Sequence, residues 1–464
     1  MQLLIDLFRL KLEEKIEKSN TSSIQNKFSV VILIIDALSQ QGFIRNLPKT
    51  KSYLDTRNGI LFSGHHKNGH NSYPNVMAIV SGELGGPYPP FRNGTTYYLD
   101  EQRQTIIQTV YKNNGYITAQ MEDFQIYGTF GRKGEVGLRQ APTNIFYRAP
   151  FLAMAKEGLQ NTLVGKCCAY ACLQEQMLHK HQFRIIHDFI SMYSEDPSFM
   201  FMHFCEYSHN DLNMAKHYDQ DLKHLMEEMI DKNELKDTFF MILGDHGFQR
   251  AEDKFVLTEQ GRIENSLPAL YLLPPPHFAE NYSEMHKNLV KNSQRLTSFW
   301  DLNQMLRQLL SLSVNKSQEE LFPKYEGHGI SLLEDVGDRN CEEAEISENY
   351  CQCTDGISEM SADESEVWAQ KILLDTNNFL QPFDFCQKLS LKTVIDASSK
   401  FLNKVLSIRV QFEVRTGAMF EGSYSWNTEQ HQLNNDKLVR LDWYSDTSRC
   451  VPNNLAFIRP YCIC

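Results

Sequence analysis

Two uninterrupted apolar runs that each end in an aspartate constrain this chain more than any other feature of it. Phe28-Ser-Val-Val-Ile-Leu-Ile-Ile-Asp36 and Thr238-Phe-Phe-Met-Ile-Leu-Gly-Asp245 lack the polar alternation of a half-exposed strand. Such runs belong to strands covered on both faces, the rule in parallel sheets flanked by helices. In open α/β sheets, ligands collect outside the carboxyl ends of the strands, which is where Asp36 and Asp245 fall. A third run, Phe199-Met-Phe-Met-His-Phe204, suits the same sheet. Around these runs the chain alternates in the α/β manner: a helix start at 75–80, strands at 115–120 and 266–273, a connection into a helix at 143–156, and helices over 217–230 and 301–312.

The pattern predicts an α/β domain with a mostly parallel sheet over 28–333. Ahead of it, 1–27 combines an amphipathic helix, with Leu3, Leu4, Leu7 and Phe8 on one face, and a polar linker. From 334 to 366 the sequence turns acidic and polar and holds three cysteines, which predicts a linker. Beyond it, Ile408, Val410, Phe412 and Val414 alternate with Arg409, Gln411 and Glu413, as in a half-buried antiparallel strand. β character recurs at 440–444 and 455–464, so 367–464 reads as a small, β-rich α+β module. The 46 Lys and Arg against 58 Asp and Glu leave a charge of -12, which excludes a nucleic-acid polymer as the default partner. No stretch approaches the roughly 18 consecutive apolar residues of a transmembrane helix.

Eleven cysteines admit two readings: buried thiols of a reducing compartment, or disulfides of a secreted protein in which the late cysteines tie the C-terminal module to the main domain. Cys351-Gln-Cys353 and Cys462-Ile-Cys464 lack the spacing of a structural zinc site. Four sequons, at Asn20, Asn93, Asn281 and Asn315, favour the secretory reading and mark glycosylation sites. Asp6, Arg9 and Lys11 interrupt the apolar core a signal peptide would need. The expectation is an extracellular or secretory-pathway protein whose leader is missing from this chain.

Three short motifs carry chemistry. Asp36 stands in Ile35-Asp-Ala-Leu-Ser39, Ser72 in Asn71-Ser-Tyr-Pro-Asn75 just before a helix, and Asp245 with His246 in Gly244-Asp-His-Gly247. Two carboxylates, an imidazole and a hydroxyl make an oxygen-rich zinc site, and a metal-bound serine is a nucleophile near neutral pH. The helix starting near Pro74 would aim its first amides at an incoming anion. Each residue has an ordinary alternative: Asp36 and Ser72 can cap turns or helices, and Asp245-His246 can be a solvated turn. Convergence of three segments favours the metal. His65, His66 and His70 read as a polar loop, and Ser39 as structural. Arg45 and Asn75 are candidates for contact with the substrate.

These motifs resemble the alkaline-phosphatase-like superfamily of sulfatases, ecto-nucleotide pyrophosphatase/phosphodiesterases and phosphoethanolamine transferases. Closer likeness lies with the metazoan sulfatase-like family known as domain of unknown function 229. It rests on Asp36-Ala-Leu-Ser39 with Phe43-Ile-Arg-Asn-Leu-Pro-Lys-Thr50, on Glu206-Tyr-Ser-His-Asn-Asp-Leu-Asn213, on Gly327-His-Gly-Ile-Ser-Leu-Leu333 and on Cys450…Tyr461-Cys-Ile-Cys464. It runs from about Ser29 to the C-terminus. The resemblance implies a three-layer sandwich on a mostly parallel sheet, with Asp36, Asp245 and His246 on the metal and Ser72 as nucleophile. Two-zinc relatives carry Asp-x-x-x-His where this chain has Glu206-x-x-His209, and His328 resembles their late histidine. Glu206, His209 and His328 would then hold a second zinc; alternatively His209 and His328 contact substrate beside a single ion, as in the phosphoethanolamine transferases.

Formylglycine-dependent sulfatases need Cys/Ser-x-Pro-x-Arg, and Val76 stands where their arginine would be. The expected function is a metal-dependent phosphoester hydrolase or phospho-group transferase with a covalent phosphoseryl intermediate, using one or two zinc ions or another divalent metal. Its substrate would be a small-molecule, lipid-headgroup or glycan phosphoester, most simply a phosphodiester. The alternatives are an inactive extracellular protein that binds a glycan or lipid headgroup in the same anionic cleft, and a sulfatase working without formylglycine.

Overall fold

The computed structural model describes residues 28–83, 106–123, 138–149, 151–152, 172–173, 176–205, 208–249, 254–323, 327–347, 349–353, 357–402, 405–427, 432–442, 444, 446–452, 455 and 458–464. Its strands are β1 (Ser29–Ile35), β2 (Ile60–Leu61), β3 (Gly64–His66), β4 (Ile117–Glu122), β5 (Ile145–Tyr147), β6 (Cys172–Leu173), β7 (Gln176–Met177), β8 (Ser198–Phe204), β9 (Thr238–Leu243), β10 (Leu270–Leu273), β11 (Leu296–Ser298), β12 (Ile357–Glu359), β13 (Leu391–Leu402), β14 (Val405–Val414), β15 (Met419–Asn427) and β16 (Gln432–Arg440). Seven of them form one sheet in the order β2-β10-β9-β1-β8-β4-β5. β1 lies at its centre, parallel to β8 (Val30 beside Phe199) and to β9 (Val30 beside Phe239). Of these seven, β10 alone is reversed: it pairs antiparallel with β9 and with β2, so β2 points the same way as β1.

Every residue of β1 is buried, and the two-residue period explains how. Val30, Ile32 and Ile34 face a core shared with Val76 and Ile79 of the Ser72–Ser81 helix and Leu302 and Leu306 of the Phe299–Val314 helix. Val31, Leu33 and Ile35 face Ile186 of the Leu178–Met192 helix and Leu222 and Met226 of the Asp219–Asp231 helix. Helices on both faces remove any polar side of the strand, and each buried aliphatic side chain contributes about 1.5–3 kcal/mol. This is the three-layer, mostly parallel architecture expected. The Phe299–Val314 helix is set by a capping box of Ser298 and Asp301.

The C-terminal module is a second sheet, in the order β12-β13-β14-β15-β16, antiparallel throughout. The Ala362–Leu380 helix packs Ala369, Ile372 and Leu373 on it, beside Val410, Phe412 and Phe420. Within 334–366, expected as a linker, Cys341, Ala344, Ile346 and Tyr350 are buried together, and β12 joins the module's sheet.

Several local expectations are corrected. The stretch 143–156 contains β5, an edge strand of the main sheet. The strand expected over 266–273 is only β10, because the Glu259–Ser266 helix occupies the chain up to Ser266. β16 ends at Arg440, and the described residues of 455–464, Leu455 and 458–464, form turns in place of a strand. Those turns are fixed by Cys386–Cys462 and Cys450–Cys464, which close within the module and do not tie it to the main domain; Cys341–Cys351 closes a local loop. Cys386 and Cys462 lie 76 residues apart. Replacing both with serine should cost roughly 4 kcal/mol by loss of the loop constraint, read as an earlier urea transition of the module in the full chain.

His65 and His66 do not form a polar loop: both are buried on β3, which pairs with β11. Burial pushes the His65 imidazole down to about 3, helped by His66. It pushes His66 down to about 4, against a hydrogen bond to the Gly64 carbonyl. An unfolded histidine takes a proton near 6.5 while these stay neutral, so the unfolded state binds more protons between that pH and the lowered values. Stability should therefore fall as pH drops below about 6.5, by up to about 1.4 kcal/mol per unit per histidine. A thermal melt series from pH 7 to 4.5 checks this, with His65→Phe blunting the slope. Among the described residues no helix is long and apolar enough to cross a membrane.

Candidate metal centre

β1 delivers Asp36 to the carboxyl edge of the sheet, where its N–H donates to Phe204 O of β8 at 2.8 Å. Ala37 then turns the chain at φ +58°, a left-handed conformation that costs a residue with a Cβ about 1 kcal/mol or more. The turn is held from β9's side: Ala37 N–H and His246 N–H each donate to Asp245 Oδ1 at 3.0 Å. Both glycines of Gly244-Asp-His-Gly247 answer to close backbone approach. A Cβ on Gly244 would lie 2.0 Å from Leu38 O, and one on Gly247 1.9 Å from Glu264 O.

With Asp245 Oδ1 fixed by two amides, Oδ2 lies 3.5 Å from His246 Nε2 and 3.8 Å from His203 Nε2. His203 Nε2 is also 3.4 Å from Asp36 Oδ2. Asp36 Oδ1 and Asp245 Oδ2 are buried and accept no hydrogen bond. Such acceptors are costly unless a cation or donor meets them. Asp36, His203 and Asp245 offer ligand atoms all within 4.8 Å of one another, so the donor set fits a divalent ion. His246 Nδ1 meets the Gly247 carbonyl at 2.8 Å. A carbonyl only accepts, so that nitrogen carries the proton and Nε2 presents its lone pair to the centre.

The charges report the same demand for a cation. Burial by itself would lower His203, but a hydrogen bond to Asp36 and the charges of Asp245, Asp36 and Glu122 outweigh it and raise the imidazole to about 9. Burial would raise Asp36; the charge of His209, the hydrogen bond from His203 and the charge of His246 instead hold it well below the usual carboxylate range.

Ser72 is the first residue of the Ser72–Ser81 helix; Asn71 occupies the cap position and makes no side-chain cap bond. Ser72 Oγ lies 3.4 Å from Asp36 Oδ2 and 3.4 Å from His246 Nε2. The structure thus brings together Asp36, Ser72, Asp245 and His246, and His209 stands close enough to act on the charge of Asp36. It adds His203, which sequence reasoning missed. The available signal was a single polar residue near the end of an otherwise apolar buried strand.

The remaining candidates are placed as follows. Glu206 lies outside the described residues, as do Asn20 and Asn93. His328 pairs with Glu345 at 2.7 Å and stacks on Trp300. Arg45 is engaged by Glu264, with 3.1 Å bonds to both carboxylate oxygens, and Ser39 Oγ donates to the same group at 2.8 Å. Asn75, expected at the substrate, spends its amide on the loop before Ser72. It accepts from Asn68 and Gly69 N–H at 2.8 and 2.7 Å and donates to Gly69 O and Asn71 O at 3.0 Å. Asn281 and Asn315 are exposed at helix ends.

Among solved structures, the chain is similar to a protein in the alkaline phosphatase superfamily from Vibrio parahaemolyticus, at 12% identity over 95% of this chain and 90% of that one, with a TM-score of 0.41. It is similar to the lipoteichoic acid synthase LtaP from Listeria monocytogenes, at 12% identity over 70% and 80%, with a TM-score of 0.41. It is also similar to the C-terminal periplasmic domain of phosphoethanolamine transferase EptC from Campylobacter jejuni, at 13% identity over 66% and 97%, with a TM-score of 0.38. No curated protein matches it in sequence. The model of the family described as "Protein of unknown function (DUF229)" matches residues 5–395, and the chain belongs to that family.

Proposed function

We propose that this chain is a divalent-metal-dependent phosphoester hydrolase or phospho-group transferase, with Ser72 as nucleophile and a phosphodiester as the favoured substrate. The observation that carries the reading is a serine hydroxyl 3.4 Å from both a carboxylate and an imidazole, at a helix start, beside two buried carboxylate oxygens without hydrogen bonds. Asp36, Asp245, His246 and His203 would hold the ion, and their mixed oxygen and nitrogen donors suit zinc. His209, with Glu206 and His328, is the candidate set for a second ion. When bound, the ion supplies positive charge that eases loss of the Ser72 proton and offsets charge on the phosphoryl oxygens.

In the first half-reaction Ser72 Oγ bonds to phosphorus as the ester P–O bond breaks, and the leaving alkoxide departs as an alcohol after taking up a proton. In the second, water or an acceptor alcohol attacks the phosphoserine, the Oγ–P bond breaks, and Ser72 regains its proton. The N-terminus of the Ser72–Ser81 helix favours the anionic group throughout. The three disulfides among the described residues suit the extracellular or secretory compartment expected for the chain.

Parallel assays on the sulfate monoester, phosphate monoester and phosphodiester of one aryl alcohol, with zinc and with chelator, test the reading. Zinc-dependent release from a phosphate ester is expected. Turnover of the sulfate ester alone would turn the assignment to a sulfatase, and turnover of none would turn it to a binding protein.

A further inference from the structure

Cys341, Cys351 and Cys353 bring their sulfurs within 4.8 Å of one another, although one disulfide uses only two of them. The structure joins Cys341 to Cys351 and keeps Cys353 as a thiol, its Sγ 3.6 Å from that of Cys341. The later Cys-x-Cys of the chain is wired differently: Cys462 pairs with Cys386 and Cys464 with Cys450, one partner each. In Cys351-Gln-Cys353 two sulfurs share a single partner.

Residues two apart on an extended chain present their side chains to the same side, so this spacing lets both cysteines serve Cys341. Gln352, between them, is engaged elsewhere. Its backbone N–H donates to His66 Nε2 at 3.2 Å and its amide donates to Ser266 Oγ at 3.0 Å. Those two bonds pin the segment to the main domain and hold both sulfurs beside Cys341.

Burial separates the three roles. Cys341 is 2% exposed, whereas Cys351 and Cys353 are half-buried and line a cavity of about 450 Å³ between the main domain and the C-terminal sheet. A reagent from solvent therefore meets Cys351 or Cys353 and not Cys341. Lys400 Nζ, from β13, donates to Cys351 Sγ at 3.6 Å. A cation beside sulfur favours the thiolate, and a stabilised thiolate leaves a disulfide faster. The alternative bond, Cys341 to Cys353, spans 12 residues where the present one spans 10. Closure entropy follows only the logarithm of loop length, so it does not choose between them.

We propose that this trio is a thiol–disulfide exchange site in which Cys351 and Cys353 alternate as the partner of Cys341, and that the displaced sulfur is the thiol offered to small thiols and electrophiles. Cys353 gives up its proton to water, and its thiolate bonds to Cys341 Sγ. The Cys341–Cys351 bond breaks, its electron pair stays on Cys351 beside Lys400, and that thiolate takes up a proton. Nothing is oxidised or reduced overall. The three sulfurs form a triangle and displacement at sulfur runs in line, so a rotation of the Cys353 side chain precedes attack. The inference stands apart from the phosphoester reading and does not depend on it.

The test holds the full, metal-loaded chain in mixed reduced and oxidised glutathione until pairing equilibrates, then labels it natively with N-ethylmaleimide. Digestion with pepsin in acid, without reduction, and tandem mass spectrometry read the bond and the label at each cysteine. A glutathione adduct counts as label, since it too marks the displaced sulfur. Two species are expected, Cys341–Cys351 labelled at Cys353 and Cys341–Cys353 labelled at Cys351, each in at least about a tenth of the chains. Cys351→Ser should form Cys341–Cys353, and Cys353→Ser should carry no label within the trio. Melting temperature establishes that each variant is folded, and the wild-type map needs neither. A single pairing in the wild type would overturn the proposal, whether Cys341–Cys351 with label on Cys353 alone or a bond from Cys353 to a cysteine outside the trio. Label on all three would overturn it in favour of a reduced cluster.

Discussion

Ser72→Ala should lower aryl phosphodiester turnover by about 10³-fold or more while leaving zinc content and melting temperature close to those of the wild type. A loss of that size removes about 4 kcal/mol of transition-state stabilisation, which is what deleting a nucleophile does and what deleting a helix-start hydroxyl does not. The structural cost is small because Asn71, and not Ser72, occupies the cap position of the Ser72–Ser81 helix. Ser72→Thr keeps the hydroxyl and should retain measurable turnover. Full activity in the alanine variant would remove the assignment, and loss of zinc together with activity would recast Ser72 as a ligand alone.

Asp245→Asn should abolish metal binding and activity together. The substitution keeps the side chain's shape, and its carbonyl oxygen can still accept from the Ala37 and His246 amides, as Oδ1 does now. What disappears is the charge at Oδ2, the buried oxygen with no hydrogen bond. Zinc per chain, by mass spectrometry, should fall from one or two to below about a tenth. The wild type should melt lower in chelator, by the linkage that couples a bound ion to the folded state, and the variant should not respond. Stripped of metal, the wild type keeps Asp36 charged through His209, His203 and His246, but leaves Asp245 Oδ2 buried without a hydrogen bond. The metal-free variant should therefore melt no lower than the metal-free wild type. A variant that keeps its zinc would place the ion elsewhere.

The parts of this site legible in the sequence were those carried by local signals. Asp36 and Asp245 end apolar runs, His246 sits between the residues of a glycine-framed turn, and Ser72 precedes a helix. His203 was not legible, because within Phe199-Met-Phe-Met-His-Phe204 a lone imidazole looks like a core residue. Only the register, with Ile34 beside His203, puts it level with the end of β1. Asn75 was misjudged because its partners are backbone groups of its own loop, which composition does not show. The mostly parallel sheet was readable from strands buried on both faces. In the C-terminal module, β14 was readable by its alternation, whereas β13 and β15 carry Asp396, Lys400 and Gly422, residues poor in strand propensity, and were not. Cysteine pairing followed the three-dimensional path of the module and not the spacing of the cysteines.

The central place of β1 also governs how the molecule can be made. The strand is made before both of its neighbours, β8 and β9, with Val30 waiting for Phe199 and Phe239. At translation rates of about 5–20 residues per second, roughly 10–40 seconds separate the apolar strand from its second partner. During that interval Val-Val-Ile-Leu-Ile-Ile lacks both neighbours, and an apolar strand in that state is prone to aggregate. The candidate ligand cluster cannot exist before Asp245 and His246 have left the ribosome, so an ion held there would be acquired only after β1, β8 and β9 have all been made.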